Sequence, residues 1–139
     1  MNEKVLEKAN EKIKKCDDVS FGVIDENGYP SVSTVTLVKP ENISELFFST
    51  SLHNCNKVNR LRANNKASVC CRIGRDDNIT LVGTAEILVD QETKSKFWES
   101  WFIEHYTGGE TDPDYCIIQF TTKRVSLWID KEGAEFVVN

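Results

Sequence analysis

The sequence has little of what marks a fibrous, disulfide-stapled or membrane-spanning chain. Proline occurs 3 times and glycine 7 times in 139 residues, which excludes a collagen-like or low-complexity chain. No stretch approaches the ~18 consecutive apolar residues that a spanning helix needs. The opening segment MNEKVLEKANEKIKK alternates charged and apolar residues and lacks the apolar run of a secretory signal. Basic residues are outnumbered, 17 Lys and Arg against 22 Asp and Glu, for a net charge of −5 and a pI near 5.1. Without a basic field to neutralise phosphates, nucleic acid is not an expected partner. The expectation is a soluble cytoplasmic protein with no membrane contact.

Metal and redox motifs are equally scarce. The 5 cysteines, Cys16, Cys55, Cys70, Cys71 and Cys116, are odd in number and form no CxxC pair. Adjacent Cys70 and Cys71 would point to opposite faces of a strand, so reduced thiols are expected rather than a disulfide framework. His53 and His105 have no Cys, Asp or Glu partner at metal-ligand spacing, so no structural zinc is expected. The GxGxxG, GxxxxGK[ST] and GxSxG patterns are absent, which removes the usual nucleotide-fold and hydrolase signatures.

What is present reads as one globular domain over residues 1–139, with 40% hydrophobic and 28% charged residues and no linker or repeat. Val5, Leu6, Ala9 and Ile13 share one helical stripe within residues 3–15. A strand from Val19 to Asp25 and one from Ser31 to Val38 meet at Asn27-Gly28, a hairpin signal. The second of these strands is rich in Ser and Thr, so little side-chain bulk covers its backbone. Leu46 to Thr50 forms a third strand, and Asn54 to Ala63 a short helix with Val58 and Leu61 on one side.

Ala67 to Ile73 and Ile79 to Val89 are strands around an Arg75-Asp76-Asp77-Asn78 loop. Asp90 is suited to cap a second substantial helix whose aromatic face is Phe97, Trp98, Trp101 and Phe102. After Gly108-Gly109 and Asp112-Pro113 come strands Tyr115 to Thr121, Val125 to Asp130 and Glu135 to Val138, the last two joined through Gly133. Strands with hairpin-length connections favour a mainly β antiparallel barrel, closed or split, with flanking helices.

Three groups of residues could carry chemistry. Ser49, Thr50 and Ser51 end a strand, and Asn54, Asn56 and Lys57 follow at the start of a helix. Hydroxyl donors, helix N-terminal amides and a lysine are the parts of a phosphate site, and equally of ordinary turn chemistry with Asn54 as N-cap. Trp98 and Trp101 read as core residues. Trp128, on a strand near the end of the chain, is open to a ligand or a partner chain. His105 and Tyr106 end the aromatic segment without forming an acid/base pair.

The order and spacing of several segments resemble the flavin-binding split barrels related to pyridoxamine 5′-phosphate oxidase, in particular the general stress protein 26-like branch. The segments are the N-terminal helix, Val23-Ile24-Asp25-Glu26-Asn27-Gly28-Tyr29-Pro30, Leu46-Phe47-Phe48-Ser49-Thr50-Ser51 with Lys57-Val58, and Asn65-Lys66-Ala67-Ser68-Val69. Gly108-Gly109-Glu110-Thr111-Asp112-Pro113-Asp114-Tyr115 and Val125-Ser126-Leu127-Trp128-Ile129-Asp130 carry the branch-level likeness.

The resemblance implies a homodimer holding FMN at the subunit interface, and flavin-dependent redox chemistry on a small-molecule substrate. It implies contacts to the flavin ring from Ser33, Thr34 and Val35, a phosphate grip of Ser49, Thr50, Ser51, Asn56 and Lys57, and Trp128 near the flavin from across the interface. The chain departs from the family pattern where Ser33 replaces a frequent arginine, and where the Thr50 to Lys57 loop is one residue longer. The arginine and histidine cluster for a second phosphate is missing from the C-terminal strands, so vitamin B6 oxidase activity is not implied. A non-catalytic flavin-binding or sequestration module, and a barrel binding haem through His53 or His105 or binding another phosphorylated cofactor, are the alternatives.

Overall fold

A computed structural model describes residues 3–138. The chain runs α1 (Glu3–Ile13), β1 (Asp18–Ile24), β2 (Pro30–Thr36), β3 (Glu45–Ser51), α2 (Asn56–Ala63), β4 (Lys66–Ile73), β5 (Asp77–Leu88), α3 (Gln91–Lys96), two 3-10 turns (Ser100–Glu104 and Gly109–Thr111), β6 (Tyr115–Ile129) and β7 (Glu132–Val137). All pairings are antiparallel, in the order β2-β1-β4-β5-β6-β3, with β7 added to β6. Among the described residues, a bridge from Leu37 to Phe48 alone joins the two ends of this path, so the sheet closes into a barrel that is split between β2 and β3. The expected antiparallel split barrel is the observed fold.

Period-2 alternation fills the interior. Phe21, Val23, Phe48, Val69, Leu81, Ile118, Phe120 and Val125 point inward and are buried, with Phe21 packed 5.0 Å from Phe48 and edge-on to Phe120. α1 covers one end of the barrel with Ala9 and Ile13. It is docked by Asn10 Oδ1, which accepts the Ile43 N–H, and by ion pairs from Lys12 to Asp77 and Lys8 to Asp130. α2 covers another part of the rim with Val58 and Leu61. The β1–β2 turn is tied by Asp25, whose carboxylate accepts the N–H groups of Asn27 and Tyr29 while Gly28 takes the positive φ.

Six expectations are corrected, and the simplest is that Trp101, read as core, is exposed. Cys16 and Cys71 are joined as a disulfide between the end of α1 and β4, leaving Cys55, Cys70 and Cys116 free, because the fold brings together two cysteines that are 55 residues apart. The strands expected at Tyr115 to Thr121 and Val125 to Asp130 are one strand, β6. A bulge between Val82 and Gly83 absorbs the register shift at Lys123, so pairing with β5 continues past it. The aromatic helix is not continuous: α3 ends at Lys96 and Ser100–Glu104 is a 3-10 turn. Phe97 turns to Phe47, whereas Trp98 and Phe102 pack against each other and against Tyr115, a division that a single helical stripe does not provide.

Asn54 is not the cap of α2; that position is Cys55, which makes no side-chain capping bond. Gly133 is not the last turn residue. Asp130 and Lys131 take the positive φ angles there, and Gly133 lies in β7 opposite Trp128, its missing side chain 3.5 Å from the indole.

The outer surface divides in two. Over β3 and the first half of β6 lies a second apolar cluster of Val38, Phe97, Phe102, Tyr106, Tyr115 and Ile117, roofed by α3 and the 3-10 turns. Among the described residues no second apolar cluster of this kind lies on the outer face of β2, β1, β4, β5, the second half of β6, or β7.

Candidate functional site

The sequence-predicted residues fall in two places. β2 carries Ser33, Thr34 and Val35, with Ser33 and Val35 half-buried and Thr34 exposed. β2 pairs with β1 on one side only, and apart from the Leu37 bridge its second edge has no strand partner. Its backbone amides and carbonyls are therefore available along the split, beside short side chains. α2 spans the same region: Arg60 donates to the Ser31 hydroxyl and pairs with Glu26 at 2.8 Å, which ties the helix to the start of β2.

Ser49, Thr50 and Ser51 do not form one hydroxyl cluster, because alternation sends Thr50 inward and its neighbours outward. Thr50 is buried, and its hydroxyl lies 3.1 Å from the Cys55 sulfur. Ser49 meets the hydroxyl of Tyr106, whose pKa is pushed up to about 12 chiefly by burial. Ser51 Oγ donates to Asp114 Oδ2 at 2.6 Å and accepts the Asn54 N–H. Asp114 also accepts from the His53 N–H at 2.8 Å and from Asn54 Nδ2 at 3.3 Å. These bonds, the Ser51 hydroxyl first, hold the Asp114 carboxyl below its ordinary pKa.

Asn56 is exposed at the first position of α2, and Lys57 follows it, half-buried and with no ion pair among the described residues. The first turn of α2 has no acidic residue and no side-chain cap. Among the described residues, no side-chain hydrogen bond or ion pair occupies this helix start or Lys57.

Trp128 is elsewhere. Ser51 pairs with Tyr115 at the first position of β6, whereas Trp128 is its penultimate residue. Trp128 lies 13 positions after Tyr115, on the order of 40 Å of extended backbone along β6. Half-exposed Trp128 lines an open concavity of about 550 Å³ with Asn78, Thr80, Ser126 and Glu135. One chain therefore does not bring Trp128 to Lys57.

His53 and His105 are both exposed, and the His105 ring stands 5.8 Å from that of Trp101. Among the described residues no group of three or more His, Cys, Asp or Glu is placed to hold a metal ion. No described helix is long and apolar enough to cross a membrane. Asp114 is the residue that sequence reasoning missed as a site residue. Asp112-Pro113 marks a break in the chain, but only the β3–β6 pairing reveals that Asp114 faces the Ser51–Asn54 turn.

Comparison with known proteins agrees with this architecture. A protein related to general stress protein 26 of Bacillus subtilis, from Clostridium acetobutylicum and described as of the pyridoxinephosphate oxidase family, is 29% identical. It superposes with a TM-score of 0.84 over 99% of this chain and 97% of that one. General stress protein 26 of Bacillus anthracis is 22% identical over 95% and 98% of the two chains, with a TM-score of 0.76. A haem-binding protein from Mycobacterium smegmatis shares the fold at 14% identity and a TM-score of 0.70, over 93% of this chain and 57% of that one. No curated protein matches the chain. The family model described as "Pyridoxamine 5'-phosphate oxidase like" matches residues 4–138, and with the split barrel in place the chain belongs to that family.

Proposed function

We propose that this chain is an FMN-binding split-barrel domain, spanning residues 1–139, that works as a homodimer and carries out flavin-dependent redox chemistry on a small molecule. The observation that carries the reading is Lys57: a half-buried cation without an anionic partner among the described residues, on the uncapped first turn of α2, the helix that follows β3 in the chain. Lys57, Asn56 and the α2 amides fit a phosphate. The unpaired edge of β2 at Ser33, Thr34 and Val35 fits the hydrogen-bonding rim of a flavin ring. Ser51 fits less well, since its hydroxyl is already given to Asp114.

When bound, the flavin supplies the electron-transfer chemistry; the protein binds and orients it and limits water access. The separation of Trp128 from Lys57 supports a site completed by a second copy. A twofold-related chain docked on the bare sheet face would bring its own Trp128 concavity to the assembly. That face is built of short side chains, including Ser20, Ser68, Thr80 and Ser126, together with exposed Val32 and Val82.

The test is the visible spectrum of the purified protein together with FMN and riboflavin titrations of wild type and Lys57→Ala. Loss of a charge-assisted hydrogen bond should weaken FMN about 10- to 150-fold and leave riboflavin nearly unchanged. Equal weakening of both ligands makes Lys57 structural, and an effect on neither refutes its role. A Soret band in place of flavin absorbance would favour haem. Flavin absorbance with no oxidation of NADH or NADPH, across a panel of acceptors, would favour a non-catalytic binding module.

A further inference from the structure

The Ser51–Asn54 turn has the chemistry of an anion site, and its occupant is part of the chain. Three neutral donors converge on the carboxylate of Asp114: the Ser51 hydroxyl at 2.6 Å, the His53 N–H at 2.8 Å and Asn54 Nδ2 at 3.3 Å. The Asn54 N–H donates to Ser51 Oγ, which turns the hydroxyl proton towards the carboxylate. No lysine or arginine among the described residues lies within ion-pair distance of Asp114, so its charge is balanced by dipoles, as in a backbone nest for an anion. The carboxylate is also fixed from behind. The Leu52 N–H donates to the Asp114 carbonyl, the Asp114 N–H donates to Asp112, and Lys94 holds the Asp112 carbonyl at 3.0 Å.

We infer that Asp114 is a specificity-determining residue: its carboxylate fills the anion-binding turn at Ser51–Asn54 and keeps a ligand's phosphate out of it. The phosphate is left to Lys57 and the α2 amides, one helical turn further along the chain. This deepens the flavin reading and rests on it only for where the ligand phosphate goes; the internal anion site stands on the hydrogen bonds alone.

Two measurements test it. Melting of wild type, Asp114→Ala and Asp114→Asn is compared in chloride and in inorganic phosphate at equal ionic strength and neutral pH. Asp114→Ala should melt below wild type in chloride and gain several degrees more from phosphate than wild type does, because phosphate enters the vacated turn in the variant and only the Lys57 site in wild type. If the alanine variant does not fold, Asp114→Ser, which also vacates the turn, is held to the same criterion, with Asp114→Asn as the filled-turn control. A truncated variant that gains no more from phosphate than wild type overturns the inference.

In the second measurement, the ratio of FMN to riboflavin affinity should rise about 5- to 10-fold in Asp114→Asn, through removal of one like charge near the phosphate. A ratio that is unchanged or lower while flavin binds overturns the specificity role. A protein that binds neither flavin refutes the flavin reading, and the phosphate-rescue result then still decides whether the turn is an anion site.

Discussion

The two halves of β6 belong to the same strand and have opposite fates. From Tyr115 to Ile118 every residue is buried, because Cys116 and Ile118 face the barrel core while Tyr115 and Ile117 face the aromatic roof. From Val125 to Ile129 burial alternates, and Ser126 and Trp128 are exposed. A strand covered on both faces reads as a continuous apolar run and a strand covered on one face alternates, so YCII and VSLWI already record the difference. The bulge opposite Val82 and Gly83 lies between the halves and lets one strand serve both layers.

Removing the roof should cost most. Phe102 is fully buried between Trp98, Trp101, Tyr106 and Tyr115, so Phe102→Ala should lose about 3–5 kcal/mol in urea unfolding. A loss below about 1 kcal/mol would mean that the roof is not part of the core. The joint between the halves comes next. A Cβ on Gly83 would sit 1.9 Å from the Thr121 carbonyl oxygen, and Gly83→Ala should cost about 3 kcal/mol as backbone is pushed aside. An alanine variant with an unchanged urea midpoint would show that the bulge is dispensable.

The bare half should respond to charge through assembly rather than folding. Thr34→Glu on exposed β2 should leave urea stability within about 0.5 kcal/mol at low protein concentration, yet shift sedimentation from two chains towards one. A variant that remains dimeric would move the interface away from this face.

The smallest effect is the pH dependence. Asp114 is held below its ordinary pKa by its hydrogen bonds, the Ser51 hydroxyl first, and Asp77 by Lys12 and the Asp130 N–H. A lowered folded-state pKa gives stability that is fully present above the unfolded carboxyl value, about pH 4, and that is lost as pH falls through the lower folded value. Stability should therefore decline from about pH 4 downward, and less steeply in Asp114→Asn. Identical acid profiles for the two proteins would contradict this assignment.

Much of this molecule was legible in its residues, for local reasons. Apolar alternation located the strands, the helical stripe at Val5, Leu6, Ala9 and Ile13 located α1, and Asp90 does cap α3 by accepting the Thr93 N–H at 3.0 Å. Lys57 at the head of a short helix and the short side chains of β2 follow from the same local rules. Pairings between distant positions were not legible. The Cys16–Cys71 bond spans 55 residues, and the Ser51–Asp114 bond spans 63.

Nor could local patterning distinguish an aromatic helix from aromatics divided between two neighbours, since Phe97 stacks 4.2 Å from Phe47 of β3 while Trp98 and Phe102 pack on Tyr115. Composition and periodicity by themselves determined a mainly β barrel with helices at its ends, because burial imposes a period on each segment independently of its neighbours. Only the tertiary structure decided that Asp114 occupies the turn beside Lys57 and that Trp128 stands apart from both. Those relations depend on strand register, and a shift of one residue would turn each of these side chains to the other face.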